Sequence, residues 1–208
     1  IYCSLIFKQS LFGLLYLPSY LFLIKIVVIA FMVFTFVAII NFTNFADGLD
    51  GLLTGSMIVL FSSAAYLVDS NFLYVVGGLI GFLILNWHPS KVFMGDIGST
   101  FLGAVFVGLL SFSNSIENSF TYLLISSPLL LDAFICVIRR FIYKQNIFSP
   151  HKEHLYQRLN KAAWSHEKVS SIYILMSLFI AISVYFWGIP IALLAVLLEI
   201  IIGIILDK

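Results

Sequence analysis

Asp47 and Asp50 stand three residues apart in the stretch NFTNFADGLDGLL, residues 41–53, and Asn41 and Asn44 repeat that spacing just upstream. At the start of a helix, residues three apart share a face. Two carboxylates on one face suit a divalent cation, or a phosphate-bearing substrate held through one. Gly48 and Gly51 let the backbone bend or pack closely there. Helix capping is the plainer reading, since Asn and Asp cap well and acids favour the positive helix end. Capping accounts for one acid. It does not account for two asparagines, two aspartates and two glycines together, so the stretch is read as a site.

A second stretch, FMGDIGSTFLG at 93–103, places Asp96 between Gly95 and Gly98, with Ser99 and Thr100 opening a helix. A small-residue loop before a helix presents free N–H groups, a natural anion site, and Asp96 could hold a hard cation beside it. Alone this pattern is also an ordinary tight turn. The third stretch is IFSPHKEHLYQRLNKAAW, 147–164. Ser149 and Pro150 read as N-cap and first helical residue. His151, His154, Arg158 and Lys161 then recur at helical spacing opposite Leu155, Leu159 and Ala162. That is an amphipathic helix at the membrane surface, whose cationic stripe could meet lipid headgroups or a diphosphate. A zinc pair of His151 and His154 is disfavoured because no third soft ligand is near. His88, in Trp87-His88-Pro89, reads as an interfacial residue rather than a catalyst. Asp132 and Glu199 lie inside apolar runs, where acids are functional suspects. Asp132 could face the site or structure a helix contact, and Glu199 suits a structural role.

The elements that must position these residues follow from composition. Hydrophobic residues make up 62% of the chain and charged residues 10%, with net charge +1 and mean hydropathy +1.09. A soluble domain carries about 25% charged residues, so the solvent of this chain must be lipid. The near-zero net charge gives no case for nucleic acid, and Cys3 and Cys136 suggest neither a disulfide nor a metal cluster. Apolar runs recur at 21–40, 52–68, 72–87, 97–112, 120–138, 169–187 and 190–206, about seven spans of bilayer length. Strand alternation of the outer-membrane type is absent. The expected fold is an all-α polytopic transmembrane bundle, one membrane domain over 1–208.

Lysine and arginine set its orientation. Alternating spans put Lys91, Arg139, Arg140, Lys144, Lys152, Arg158, Lys161, Lys168 and Lys208 on one side, while the opposite loops hold Asp69 and Glu117. The basic side is therefore cytoplasmic, with Lys25 as a snorkelling exception. All three polar stretches fall on that side. Chemistry confined to one face fits an enzyme meeting cytosolic substrates better than a channel.

These stretches carry a resemblance. NFTNFADGLDGLL resembles the N-A-x-N-F-x-D-G-x-D-G-L signature of the polyprenyl-phosphate N-acetylhexosamine-1-phosphate transferases (glycosyltransferase family 4), related to phospho-N-acetylmuramoyl-pentapeptide transferase. FMGDIGSTFLG resembles their F-x-G-D-x-G-S-x-x-L-G loop. PLLLDAFICVIRR followed by SPHKEHLYQRL resembles their later D…R-R and S-P…H-x-H-H region, in the O-antigen-initiating form where H-L-Y-Q-R-L replaces a triple histidine. The match runs from about residue 20 to 170.

The resemblance implies an enzyme of the bacterial inner membrane, multi-pass, its active face cytoplasmic. It would be Mg²⁺-dependent, with Mn²⁺ as the alternative ion. It would transfer an N-acetylhexosamine-1-phosphate from a UDP-sugar to undecaprenyl phosphate, giving undecaprenyl-diphospho-sugar and UMP for lipopolysaccharide or cell-wall synthesis. Asp96 matches the metal-binding aspartate. Asp47, Asp50 and His154 match catalytic positions. Asn44 matches a position lining the cleft, and Asn41, His151 and Arg158 are taken with it as substrate-binding. A homodimer is left open.

Two departures bear on activity. Tyr156 and Gln157 stand where the H-x-H-H pattern has its second and third histidines, and no Asp-Asp pair, which the family carries upstream of its first signature, occurs in the chain. The chain opens at Ile1. The expectation is a carboxy-terminal portion of such an enzyme, inactive alone. Two competing readings remain. One is a CDP-alcohol phosphotransferase, a class that resembles a D-G-x-x-A-R pattern; here Asp47-Gly48 is followed by Leu49-Asp50-Gly51-Leu52, with no Ala-Arg. The other is a transporter or non-catalytic bundle in which the polar stretches are loops and caps; a transporter would place polar groups near the bilayer midplane, where the first three spans have almost none.

Overall fold

A computed structural model describes residues 20, 22–113, 115–146, 149 and 153–207. His151 and Lys152, the apolar stretch before Pro18, and Lys208 lie outside the described residues. The described chain is helical: α1 (Phe22–Phe45), α2 (Leu52–Leu67), α3 (Phe72–Asn86), α4 (Gly95–Phe112), α5 (Ile116–Ile125), α6 (Ser127–Ile142), α7 (Leu155–Lys161), α8 (His166–Trp187) and α9 (Ile189–Leu206).

α2 is the centre of the bundle. Leu52, Leu53, Met57, Leu60, Phe61 and Ala64 are all buried, and the helix packs against α3, α5 and α8. Around it, α1 packs on α4 and α8 on α9. Two glycines mark close approaches. A side chain on Gly103 would sit 2.9 Å from the Ile40 Cα, so α1 and α4 touch backbone to backbone. Gly51 has φ +74 and turns the chain into α2, with the Trp87 ring 2.6 Å from where a Cβ would lie. The outer faces of α1 and α9 expose Phe31, Phe34, Leu197 and Ile201. Such faces match a hydrocarbon solvent and make the chain a multi-pass membrane protein.

Among the described residues, α1, α4, α8 and α9 are long and apolar enough to cross a bilayer. The expected span at 120–138 is instead a bent pair, α5 and α6, meeting at 74°. The break has a local cause: Pro128 lies in the first turn of α6, where its missing N–H costs nothing, and it cannot continue α5. The expected spans at 52–68 and 72–87 are helices of 16 and 15 residues. At 1.5 Å per residue these reach about 24 Å, short of the roughly 30 Å hydrocarbon core.

Candidate functional site

The carboxy ends of α1 and α3 and the amino ends of α2, α4 and α8 meet at one end of the bundle. Asn86, 4% exposed, ties the connecting loops together. Its Oδ1 accepts from Gly51 N at 3.2 Å and Thr54 Oγ1 at 2.8 Å. Its Nδ2 donates to the Val92 carbonyl at 3.0 Å. Loop 46–51 and loop 87–94 are thereby held in register.

Across that clamp, the first two polar stretches come together. The Asn44 amide donates to Asp96 Oδ1 at 3.3 Å and to Ser99 Oγ at 2.8 Å. Ser99 in turn donates to the Gly95 carbonyl at 3.0 Å. Asp47 accepts a hydrogen bond from the Gly95 N–H, at the first turn of α4. Burial pushes the Asp47 carboxyl up to about 6; the Gly95 bond opposes this, and the charges of Asp96 and Asp50 add to it. An oxygen-rich cluster of two carboxylates, an amide and a hydroxyl is a hard-cation donor set.

Asp50 sits beside this cluster, its side chain 11% exposed. Ser90 Oγ donates to its Oδ1 at 2.9 Å, and His88 Nδ1 lies 2.6 Å from its Oδ2. His166 Nδ1 lies 3.2 Å from the same oxygen. Burial raises the Asp50 carboxyl, but the bonds from His88 and Ser90 outweigh it and leave the group below its ordinary range. From the α8 side, Ser170 Oγ donates to the Asp50 carbonyl at 2.8 Å. The interfacial reading of His88 is thus corrected: its ring belongs to Asp50, because loop 87–94 folds back over loop 46–51. His166 and Asn86 belong to none of the motifs that carry the sequence reading, and the polarity of Asn86 at the end of an apolar helix is the available signal.

α7 reaches the site from the third stretch. Asp132 of α6, its side chain 7% exposed, accepts from Leu155 N at 2.8 Å, Tyr156 N at 3.3 Å and Tyr173 Oη at 2.7 Å. The acid therefore caps α7. His154 is buried at the cap position, its ring stacked on Tyr156. Tyr156 Oη donates to the Phe45 carbonyl at 2.5 Å, against Gly48. So a position where the resembled pattern has histidine carries a tyrosine that ties α7 to the end of α1.

Two expected substrate-binding residues lie apart from this cluster. The Asn41 amide donates to Val37 O of its own helix at 2.8 Å. Arg158 pairs with Asp207, as does Arg139, along a mostly apolar groove of about 150 Å³ between α6, α8 and α9. Glu199, on that groove, accepts from Ser127 Oγ at 2.6 Å.

The model of "Glycosyl transferase family 4" matches residues 1–114, which include both loops around Asp47 and Asp96. A Bacillus subtilis protein named "Probable undecaprenyl-phosphate N-acetylglucosaminyl 1-phosphate transferase" is 36% identical over 158 residues, covering 69% of this chain and 44% of its own. A "Phospho-N-acetylmuramoyl-pentapeptide-transferase" of Lactobacillus acidophilus is 32% identical over 170 residues, 76% of this chain and 51% of its own. A "Decaprenyl-phosphate N-acetylglucosaminephosphotransferase" of Mycobacterium leprae is 30% identical over 164 residues, 64% of this chain and 41% of its own. The chain spans about half the length of the curated relatives it matches. A family match over more than half of the chain, centred on loops that the fold draws into one polar cluster, places this protein in glycosyl transferase family 4.

Proposed function

We propose that this chain carries the cytoplasmic catalytic face of an enzyme that moves an N-acetylhexosamine-1-phosphate from a UDP-sugar to undecaprenyl phosphate, releasing UMP. The observation that carries the reading is the convergence of Asn44, Asp47, Asp96 and Ser99 from two loops at one end of an apolar bundle. The names of the relatives support the lipid phosphate as acceptor. Phosphoryl transfer needs positioning and charge neutralisation more than covalent help.

The donor chemistry at Asp96 and Asp47 fits Mg²⁺, with Mn²⁺ an acceptable substitute. Those two carboxylates would hold the ion, and when bound it supplies neutralisation of phosphate charge. Asn44 orients the Asp96 carboxylate through its amide. Asp50, fixed by Ser90, lines the same mouth. His154 would meet the diphosphate from α7. Arg158 would join it only by leaving Asp207, and Asn41 only by leaving its own helix; His151 belongs to the same substrate-binding set. The product would serve cell-envelope polysaccharide, and the H-L-Y-Q-R-L form favours the O-antigen pathway. Because the Asp-Asp pair is absent, the 208-residue chain alone should not turn over.

Nucleotide release tests this. The chain, and a version extended to the length of its relatives, are placed in membranes with undecaprenyl phosphate and Mg²⁺ and offered UDP-N-acetyl sugars. UMP from the extended version alone is expected. UDP would mean ordinary glycosyl transfer and overturn the mechanism. No nucleotide from a folded extended protein would shift the reading to a transporter.

A further inference from the structure

We propose that Asp50, His88 and His166 form a binding site for a divalent first-row transition metal ion of the Zn²⁺ type, separate from the oxygen-rich Asp47–Asp96 cluster. The three side chains come from three segments: the loop after α1, the loop after α3, and the first residue of α8. One ligand atom from each lies within 4.8 Å of the other two. Two imidazole nitrogens and a carboxylate oxygen are the ligand set of many open zinc and iron sites, whereas Mg²⁺ prefers oxygen throughout.

A single hydrogen bond explains His88 but not His166. Both Nδ1 atoms face Asp50 Oδ2, at 2.6 and 3.2 Å. Yet the His166 Nδ1 is shielded from solvent and, among the described residues, has no hydrogen-bond partner. The two rings lie 4.6 Å apart at 44°, so protonating both to serve the carboxylate would set like charges side by side. A metal ion satisfies both nitrogens and the acid at once. Metal–nitrogen and metal–oxygen bonds of about 2.0–2.1 Å in a tetrahedron put ligand atoms roughly 3.3 Å apart. The His166 distance fits that spacing. His88 must withdraw by about 0.7 Å on the same reckoning, which its loop position allows. The histidine side chains are 37% and 28% exposed, so an ion has a path in and water can fill the remaining positions. Ser90 Oγ donates to Asp50 Oδ1, and Ser90 N donates at 3.4 Å to Oδ2, the oxygen that faces the imidazoles; such outer-shell support orients a ligating carboxylate.

Binding is read without substrate, so the outcome is independent of the transfer reaction. Tag-free chain in detergent is stripped with chelator and titrated with Co²⁺, followed by visible ligand-field absorption. A single Co²⁺ site is expected, displaced by Zn²⁺ and not by excess Mg²⁺. His88→Ala and His166→Gln should each weaken it by far more than the roughly tenfold expected for Ser90→Ala, and Asp96→Asn should keep it. Far-UV circular dichroism checks that each variant folds; His166→Gln, at the solvent-facing start of α8, keeps the test decisive if His88→Ala does not. No Co²⁺ site in the folded chain overturns the proposal. So does a site that survives loss of both histidines, or one that Mg²⁺ displaces or Asp96→Asn abolishes.

Discussion

Asp47 and Asp132 are both aspartates at the same end of the bundle, the first half-buried and the second with its side chain buried, and their surroundings are opposite. Asp132 accepts two backbone N–H groups and a tyrosine hydroxyl. Asp47 accepts one backbone N–H and faces two further carboxylates, Asp96 and Asp50. A buried acid that accepts three hydrogen bonds is a building element, and its strength goes into holding α7 in place. A half-buried acid with few donors and like-charged neighbours weakens the fold by itself and is relieved when a cation arrives. The difference separates a residue that positions the site from one that belongs to its chemistry.

The largest effect should come from the acid most exposed to that cation. Asp96→Asn in the extended protein is expected to lower transfer about 10²–10³-fold. Its thermal midpoint should stay within a few degrees of the parent, because Asp96 is exposed and, among the described residues, its side chain gives the fold only its bond from Asn44. Activity near the parent level would move Asp96 to the class of Asp132. For Asp132→Ala the pattern should invert: the Leu155 and Tyr156 N–H groups and the Tyr173 hydroxyl lose their acceptor, at about 3 kcal/mol in unfolding. Any loss of activity should then track loss of folded protein. A stable Asp132→Ala variant would break the comparison from the other side.

Asn86→Ala is expected to fall between them. It strands Gly51 N and Thr54 Oγ1 in a buried loop, at about 2 kcal/mol, and it frees the loop bearing Asp50. Chemical denaturation would show the first effect and Co²⁺ affinity the second. Stability at the parent level would mean that loops 46–51 and 87–94 do not depend on this clamp.

What the sequence disclosed here follows from range along the chain. Asp47 and Asp50 share one short loop, and alternating spans carry Asp96 to the same side, so a shared location needed only spacing and helix count. The break at Ser126 also had a signal, Ser-Ser-Pro at 126–128, hidden by an unbroken apolar run. His88 and His166 had none. Their meeting with Asp50 depends on how α2, α3 and α8 pack, which hydropathy does not specify, and His88 beside Trp87 looks like any interfacial residue. Asp132 stands out in the sequence as an acid in an apolar run. Its partners could not be named because they lie across a loop in α7 and on α8.

The smallest expected effect is the one that separates the two aspartates most finely. Asp47 titrates near 6 in the folded chain against an ordinary 3.8. A carboxyl raised on folding favours the folded state below its unfolded value, and that contribution is lost as pH rises through the folded value. Asp47 should therefore make the chain progressively less stable between pH 3.8 and about 6. The effect should stay under about 1 kcal/mol, since water still reaches the group and screens it. Asp47→Asn should abolish that component, so the variant should gain on the parent as pH rises through the window, even as transfer by the extended protein falls. Adding Mg²⁺ above pH 6 should stabilise the parent and leave Asp47→Asn largely unmoved. Paired thermal melts across the window, with and without Mg²⁺, read both. If the parent and variant curves run parallel, Asp47 is no more stressed than Asp132, and the case for a cation between Asp47 and Asp96 loses its electrostatic ground.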